Sequence, residues 1–387
     1  MKFSQRLDVQ RNIHWFTVGQ LIAAKEAEGV QVIRLSSGNP DIPTPPEVVD
    51  ALRAAARNPT YHRYPFSFTT ELREAIANWY QRRFGVTLDP ASEICPLGGS
   101  MEGIGNLGLA VMDPDSVALV TDPAFGAYAR ATRFAGGEIY SLPLREEDGY
   151  LPDLSKIPAE VLAQARLLWL NYPHNPTGAV APLAFLEDVV TFAREHDLLV
   201  CYDNAYSETT YDGYIAPSFL AVDGAKEVGI ELNTFSKAFN MAGWRIGMAV
   251  GNAEALQALS QVSWNTSMGL FGPVQLAAIE ALNTNSHWMT ERNAIYQERR
   301  DIVVQGLRAA GLETAYPKAT LYVWAKLPEG HEDSREFSIR LLNQTGVWIS
   351  SGVFFGQEGE GYVRASLTEP TENLCEAMER LKGLEWG

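Results

Sequence analysis

The chain has 387 residues, 46% of them apolar and 20% charged, and a net charge of −16. That length exceeds one typical core, so two domains are expected, and the ordinary composition excludes a disordered or fibrous protein. The acidic balance disfavours nucleic acid and anionic membrane as partners, since both reward clustered Lys and Arg, and leaves any anionic substrate to be held by a few local arginines.

From the start of the chain, MKFSQRLDVQRNIHWF carries charge where a signal peptide would need an apolar stretch. No apolar run approaches membrane-spanning length, so a cytoplasmic protein is expected. PDIPTPPEV, Pro40 to Val48, is stiffened by prolines and predicts a segment crossing between domains. Seven apolar runs follow, each bounded by Gly, Pro, Asn or Asp: EICPL, VALVTD, GEIYSLPL, RLLWLNY, LLVCYD, GIELNTF and IGMAVG. They alternate with helical patterns, which predicts an α/β domain over residues 46–283 with a mostly parallel, helix-covered sheet.

PVQLAAIEAL predicts a helix, and a long connecting helix over about 287–310 is closed by Gly311. ATLYVWAKL, GVWISSGVFFG and GYVRASL then alternate as in a smaller α+β domain, made of residues 284–387 together with 1–45. Cys95, Cys201 and Cys375 are odd in number, far apart and in no CxxC arrangement. Small buried hydrophobes in a reducing compartment are expected, with neither a disulfide framework nor a metal site.

GIGNLG, Gly103 to Gly108, matches the dinucleotide pattern GxGxxG, and Asp122 follows at a strand end. The context is wrong for a Rossmann turn. The strand EICPL stops at Leu97, the turn is made by Gly98 and Gly99, and Ile104, Leu107, Gly108 and Val111 keep helical spacing. The Gly98-Gly99 turn ahead of a helix starting near Ser100 is instead a place for a phosphate, although glycines at such turns also serve packing alone.

Lys237, wedged between Phe235 and Phe239 in NTFSKAFNMAGWRIG, is poorly placed for a solvated surface lysine. Three strand ends carry polar residues in chain order: NYPHNPTG from Asn171, DNAY from Asp203 and TFSK from Thr234. The C-terminal ends of parallel strands gather on one edge, where ligands of such folds bind. Singly, each residue has a plain structural role, as a turn, a cap, a loop polar group or a surface cation. Jointly they meet the needs of pyridoxal 5'-phosphate: an amine for the aldehyde (Lys237), a carboxylate to keep the pyridine nitrogen protonated (Asp203), and donors for the ring oxygen (Asn175, Tyr206). The backbone at Gly99, Ser100 and Met101, the hydroxyls of Thr234 and Ser236 and the guanidinium of Arg245 would close around the phosphate. Phe125 in TDPAFGAY would either stack on the ring or pack in the core.

At these motifs the chain resembles the class I/II aminotransferases of the fold type I pyridoxal-phosphate enzymes. SGNPD (Ser37 to Asp41), GGSMEG, NYPHNPTGA, YDNAY, TFSKAFNMAGWRIG and YVRAS (Tyr362 to Ser366) carry the resemblance over nearly the whole length. It implies that Arg364, with Asn175, binds the substrate α-carboxylate and that Gly38 lines the same pocket. It further implies Lys237 as Schiff-base lysine and proton carrier, ping-pong transfer between an α-amino acid and a 2-oxo acid, and a homodimer with shared sites in which Tyr64 of YHRYPFSF reaches the partner's phosphate.

The chain departs from the family in three places. A glycine common before the helix of FSFTTELREAI is absent, Ser100 stands where some bacterial aspartate aminotransferases have a lysine for the side-chain carboxylate, and His174 replaces a common asparagine. The second change argues against strict aspartate specificity; from the third an exposed turn histidine is expected, the alternative being a residue that tunes the site beside Asn175. The rivals are a C–S lyase of the same fold and a non-catalytic ligand sensor. GWRIG with Arg245 favours the transferase, and the intact lysine, aspartate and arginine set disfavours a dead site.

Overall fold

The computed structural model describes residues 4, 6, 13–65, 68–284, 286–382 and 384. Two sheets organise them. β1 (Ile33–Leu35) belongs to the smaller sheet. β2 (Ile94–Leu97), β3 (Val117–Asp122), β4 (Glu138–Pro143), β5 (Ala165–Asn171), β6 (Leu199–Asp203), β7 (Gly229–Thr234) and β8 (Gly247–Gly251) form the larger one in the order β2-β8-β7-β6-β5-β3-β4. The runs read as strands are these strands, and β5 to β8 are buried almost throughout, as expected for a sheet covered by helices on both faces.

Pairing is parallel from β4 through β3, β5 and β6 to β7, but β8 runs antiparallel to both β7 and β2. The cause is the short connection 235–246, which holds only the helical turn Phe235–Ala238 and the 3-10 turn Ala242–Trp244. A parallel return needs a crossover long enough to pack back over the sheet. Two antiparallel steps restore the direction of β2, so its C-terminal end shares an edge with those of β5, β6 and β7.

The glycines of GIGNLG lie inside the helix Ser100–Val111, as expected. A Cβ at Gly103 would meet the side chains of Leu97 and Leu232, and one at Gly108 would stand 2.8 Å from the Ala131 carbonyl oxygen. These two glycines therefore set how closely the helix approaches the sheet and the helix Ala127–Ala135.

β9 (Glu313–Thr314), β10 (Tyr322–Lys326), β11 (Val347–Ser351) and β12 (Tyr362–Ser366) complete the smaller sheet in the order β1-β11-β12-β10-β9. β1 pairs parallel with β11, which brings the N-terminal part of the chain into a sheet otherwise built from its last third. The helices Ser286–Ala309, Ser334–Thr345 and Thr371–Leu381 pack on it through Val303, Leu307, Leu341, Leu374 and Met378.

Two expectations are corrected. Pro46 to Val48 form the first turn of the helix Pro46–Ala55, so the crossing segment ends at Pro45; Pro46 occupies a first-turn position where no N–H partner is needed. Cys95 and Cys201 are buried, whereas Cys375 is exposed on the outer face of its helix. Among the described residues, no helix is long and apolar enough to cross a membrane.

Candidate functional site

The site is assembled where the C-terminal ends of the large sheet face the smaller one. At one end Leu97 and Thr234 both pair with Gly247 of β8, so the Gly98-Gly99 turn and the Lys237 turn start side by side. A Cβ on Gly247 would lie 2.9 Å from the Ser100 nitrogen and from the Asn233 carbonyl oxygen, which shows how closely the three segments approach. Gly99 (φ 93°, ψ 156°) is the N-cap of the helix Ser100–Val111 and supplies no side-chain cap. A side chain there would run into the Arg245 guanidinium. Arg245 itself adopts φ 54° and donates to the Ala242 carbonyl at 2.8 Å. Thr234 caps its helical turn by accepting from the Ser236 N–H at 3.2 Å, which holds both hydroxyl-bearing residues at this end. The helix N-terminus and the Arg245 guanidinium thus lie together, as suits an anion, while the Gly98 N–H of the turn donates to the Glu102 carboxylate.

In the middle, Asn171 and Asp203 are register partners at the ends of β5 and β6. The Asn171 amide donates to the Asp203 carbonyl at 2.7 Å and its oxygen accepts from the Asn175 N–H at 2.8 Å, locking the two loops together. The buried Asp203 carboxylate accepts from the Tyr128 hydroxyl at 2.7 Å and the Ala205 N–H at 3.2 Å. Burial pushes its carboxyl up to about 6; the bonds from Tyr128 and Ala205 and the nearby Lys237 charge hold back a larger rise.

Lys237 is partly buried and donates to the Gly38 carbonyl, the residue at which the chain leaves β1 for the large sheet. Desolvation lowers its pKa, and Arg364 and Arg245 act in the same direction against Tyr322 and Asp203. Arg364 projects from β12. It donates to the Asn175 side-chain oxygen and the Ser36 carbonyl, each at 2.8 Å, and its guanidinium carbon lies 3.9 Å from the centre of the Tyr322 ring and 4.4 Å from that of Phe355. Its Nε is buried without a hydrogen-bond partner among the described residues. Burial lowers the guanidinium pKa, yet an arginine stays charged. Tyr206 donates to the Tyr322 hydroxyl at 3.1 Å. Burial alone would raise the Tyr322 pKa; the cations of Arg364 and Lys237 outweigh it and hold it below the ordinary value. A side chain at position 38 would strike the Tyr322 hydroxyl, so only glycine leaves that space open.

The structure thus gathers Gly99, Ser100, Asn175, Asp203, Tyr206, Thr234, Ser236, Lys237 and Arg245 along the edge of the large sheet, with Gly38 and Arg364 meeting them from the smaller one. Phe125 is half-buried and meets Tyr128 edge to face at 5.8 Å, beside Asp203. Met101 points outward, and Tyr64 stands 76% exposed rather than turning into this chain's own site. Phe66 and Ser67 of the same loop lie outside the described residues.

His174 is corrected: it is fully buried, with Nδ1 2.7 Å from the Thr177 hydroxyl, and burial pushes its pKa down to about 3 despite the Pro123 carbonyl nearby. Sequence reasoning gave no role to Tyr128, Asn171 or Tyr322. Asn171 opens a quoted motif and so carried a signal. Tyr128 and Tyr322 sat in a helix and a strand with nothing local to separate them from core aromatics.

The model for aminotransferase class I and II matches residues 30–381. A protein named LL-diaminopimelate aminotransferase from Dehalococcoides mccartyi is 47% identical over 98% of both chains, and one of the same name from Moorella thermoacetica is 49% identical over 93% of both. The substrate-bound BacF structure from Bacillus subtilis superposes with a TM-score of 0.93 at 40% identity, covering 98% of this chain and 97% of that one. With a lysine, an aspartate and an arginine converging on one sheet edge and a match of this extent, the chain belongs to the class I and II aminotransferases, the pyridoxal-phosphate-dependent enzymes of fold type I.

Proposed function

We propose that this aminotransferase uses pyridoxal 5'-phosphate held by the residues above, takes LL-diaminopimelate as amino donor and a 2-oxo acid as acceptor, and works as a cytoplasmic homodimer. The observation that carries the cofactor reading is the buried Asp203 carboxylate at one end of a site whose other groups are the Lys237 amine and the uncapped Gly99 turn. A carboxylate at about 6 is ready to ionise beside a protonated ring nitrogen, and glycine at 99 lets the Arg245 guanidinium lie against the start of the helix Ser100–Val111, an arrangement that suits a phosphate.

When bound, the cofactor supplies an electron sink for the carbanion formed at the substrate Cα. This chain's residues do the rest. Arg364 offers its guanidinium to the α-carboxylate, with Asn175 fixing its orientation through their 2.8 Å bond. The Lys237 amine, its pKa lowered by desolvation, would serve as the base that takes the substrate Cα proton and as the acid that gives it back. Asn175 and Tyr206 would give hydrogen bonds to the cofactor's ring oxygen. Phe125, standing beside Tyr128, would be placed to pack on the cofactor's ring.

The donor assignment draws on the names of the relatives at 47% and 49% identity and on Ser100, which gives no cation for a short distal carboxylate. The larger sheet falls within 46–283 and the smaller draws on 1–45 and 284–387, which supports a large cofactor-binding domain and a discontinuous small one.

The test is spectroscopic and kinetic. The purified protein should be yellow, and Lys237→Ala should lose the covalently bound cofactor while keeping its fold. In single turnover, LL-diaminopimelate should convert the cofactor to its amino form faster than aspartate, alanine or phenylalanine at equal concentration. A colourless protein that takes up no pyridoxal phosphate overturns the cofactor assignment, and a faster reaction with aspartate overturns the donor.

A further inference from the structure

Arg292 is 1% exposed and forms no hydrogen bond or ion pair with a carboxylate among the described residues. The contrast lies in its own helix, Ser286–Ala309, where Arg299 grips Asp41 at 2.7 and 2.9 Å and Arg300 pairs with Asp212 and Asp301. The carboxylate of Glu208, close by in sequence to the Asp203 segment, is already engaged by Arg83 at 2.8 Å. That carboxylate therefore acts on Arg292 only through space, and a buried cation with no carboxylate bonded to it is costly and poor material for stability alone.

All five guanidinium N–H groups of Arg292 are nonetheless used. One terminal nitrogen donates to the backbone carbonyls of Lys237, at 2.9 Å, and of Ala238. The other donates to the Glu208 carbonyl and, at 2.8 Å, to the Asn293 side-chain oxygen, which also accepts from Nε at 3.1 Å. Asn293 in turn donates to the Glu208 carbonyl at 3.0 Å. The acceptors are therefore the last carbonyls of the one-turn helix Phe235–Ala238 and the loop that continues from Asp203 and Tyr206. A helix of one turn has no ladder to stabilise its own end, and its terminal carbonyls need an outside donor. A cation at that end also suits the partial negative charge there.

We propose that Arg292 is the positioning residue of Lys237: it fixes the lysine backbone against the Asp203–Tyr206 loop, so that the amine emerges at the right place and distance for the cofactor's aldehyde. Arg292 touches neither the amine nor the anion cradle. Its loss should leave phosphate and ring contacts intact and penalise only what depends on where Nζ lies.

Two forms of the cofactor separate these effects, because pyridoxal phosphate bonds to Lys237 and pyridoxamine phosphate does not. The inference rests on the cofactor reading above, and a wild type that binds neither form would remove that reading first. In the wild-type background, Arg292→Gln should weaken pyridoxal phosphate at least tenfold while pyridoxamine phosphate changes less than twofold; Lys237→Ala marks the full extent of the selective loss. Arg292→Lys, which keeps the charge and reaches fewer carbonyls, should restore part of the pyridoxal phosphate affinity. If Arg292→Gln does not fold by thermal melt, Arg292→Lys carries the test with an expected selective loss of at least threefold. Equal weakening of both forms, or of neither, overturns the proposal.

Discussion

Asp203 and His174 are buried titratable groups whose burial acts with opposite sign on pH dependence. The Asp203 carboxyl titrates at about 6 in the folded chain against 3.8 for an ordinary aspartate, so the folded state binds the proton more tightly. Its contribution is fully present below about pH 4 and is lost as the pH rises through 6. In cofactor-free protein, Asp203→Asn should therefore be more stable than wild type at pH 8, by up to about 3 kcal/mol, with the difference vanishing near pH 4. It should also lose transamination. Urea melts at the two pH values decide it, and a pH-independent difference would contradict the assignment. His174 runs the other way. Folded, it stays neutral to about pH 3, whereas an ordinary histidine charges near 6.5, so its contribution is present above 6.5 and is lost as the pH falls towards 3. At pH 4.5, His174→Asn should gain about 2–3 kcal/mol on wild type relative to pH 7.5, again by urea melts. Sequence placed this histidine in an exposed turn because Asn and Pro surround it. Its burial comes from the Tyr172 ring, 5.6 Å away, and from the distant Pro123, and no local pattern announces such a neighbour.

The elements that position the site were read well where their signals are local. Strand ends are marked by turn residues, and the Gly98-Gly99 turn could be separated from a Rossmann loop by counting residues from the strand. The direction of β8 could not be read so. An apolar run looks the same whichever way its neighbours run, and only the length of the 235–246 connection decides against a parallel crossover. The consequence for function is concrete, because the antiparallel step sets β2 and its glycine turn beside the lysine turn. Gly99 should tolerate no side chain: its φ and ψ lie in a region open essentially to glycine, and a Cβ would displace Arg245. Gly99→Ala should weaken pyridoxamine phosphate at least tenfold, about 1.4 kcal/mol, in a fluorescence titration. Unchanged affinity would take Gly99 out of the anion cradle.

For the whole molecule, Tyr64 is the residue that this chain leaves unused. A tyrosine 76% exposed next to a loop that meets Gly269, with Met268 and Phe271 also exposed, suits a surface covered by a second copy. On the homodimer proposed above, sedimentation should give twice the chain mass, and Tyr64→Ala should weaken pyridoxamine phosphate several-fold without changing that mass. A monomer at micromolar concentration would contradict it. By itself the sequence determined the α/β class, the strands, the decoy character of GIGNLG and which polar groups stand at the strand ends, because periodicity, turn chemistry and motif spacing are local properties of the chain. Only the tertiary structure decided that His174 is buried, that Tyr128 serves Asp203 and Tyr322 stands between Tyr206 and Arg364, and that Arg292 secures the lysine turn from a helix 55 residues further on. Most of those relations join segments far apart in the chain, and they arise from helices, strand ends and loops meeting in space, which no local pattern records.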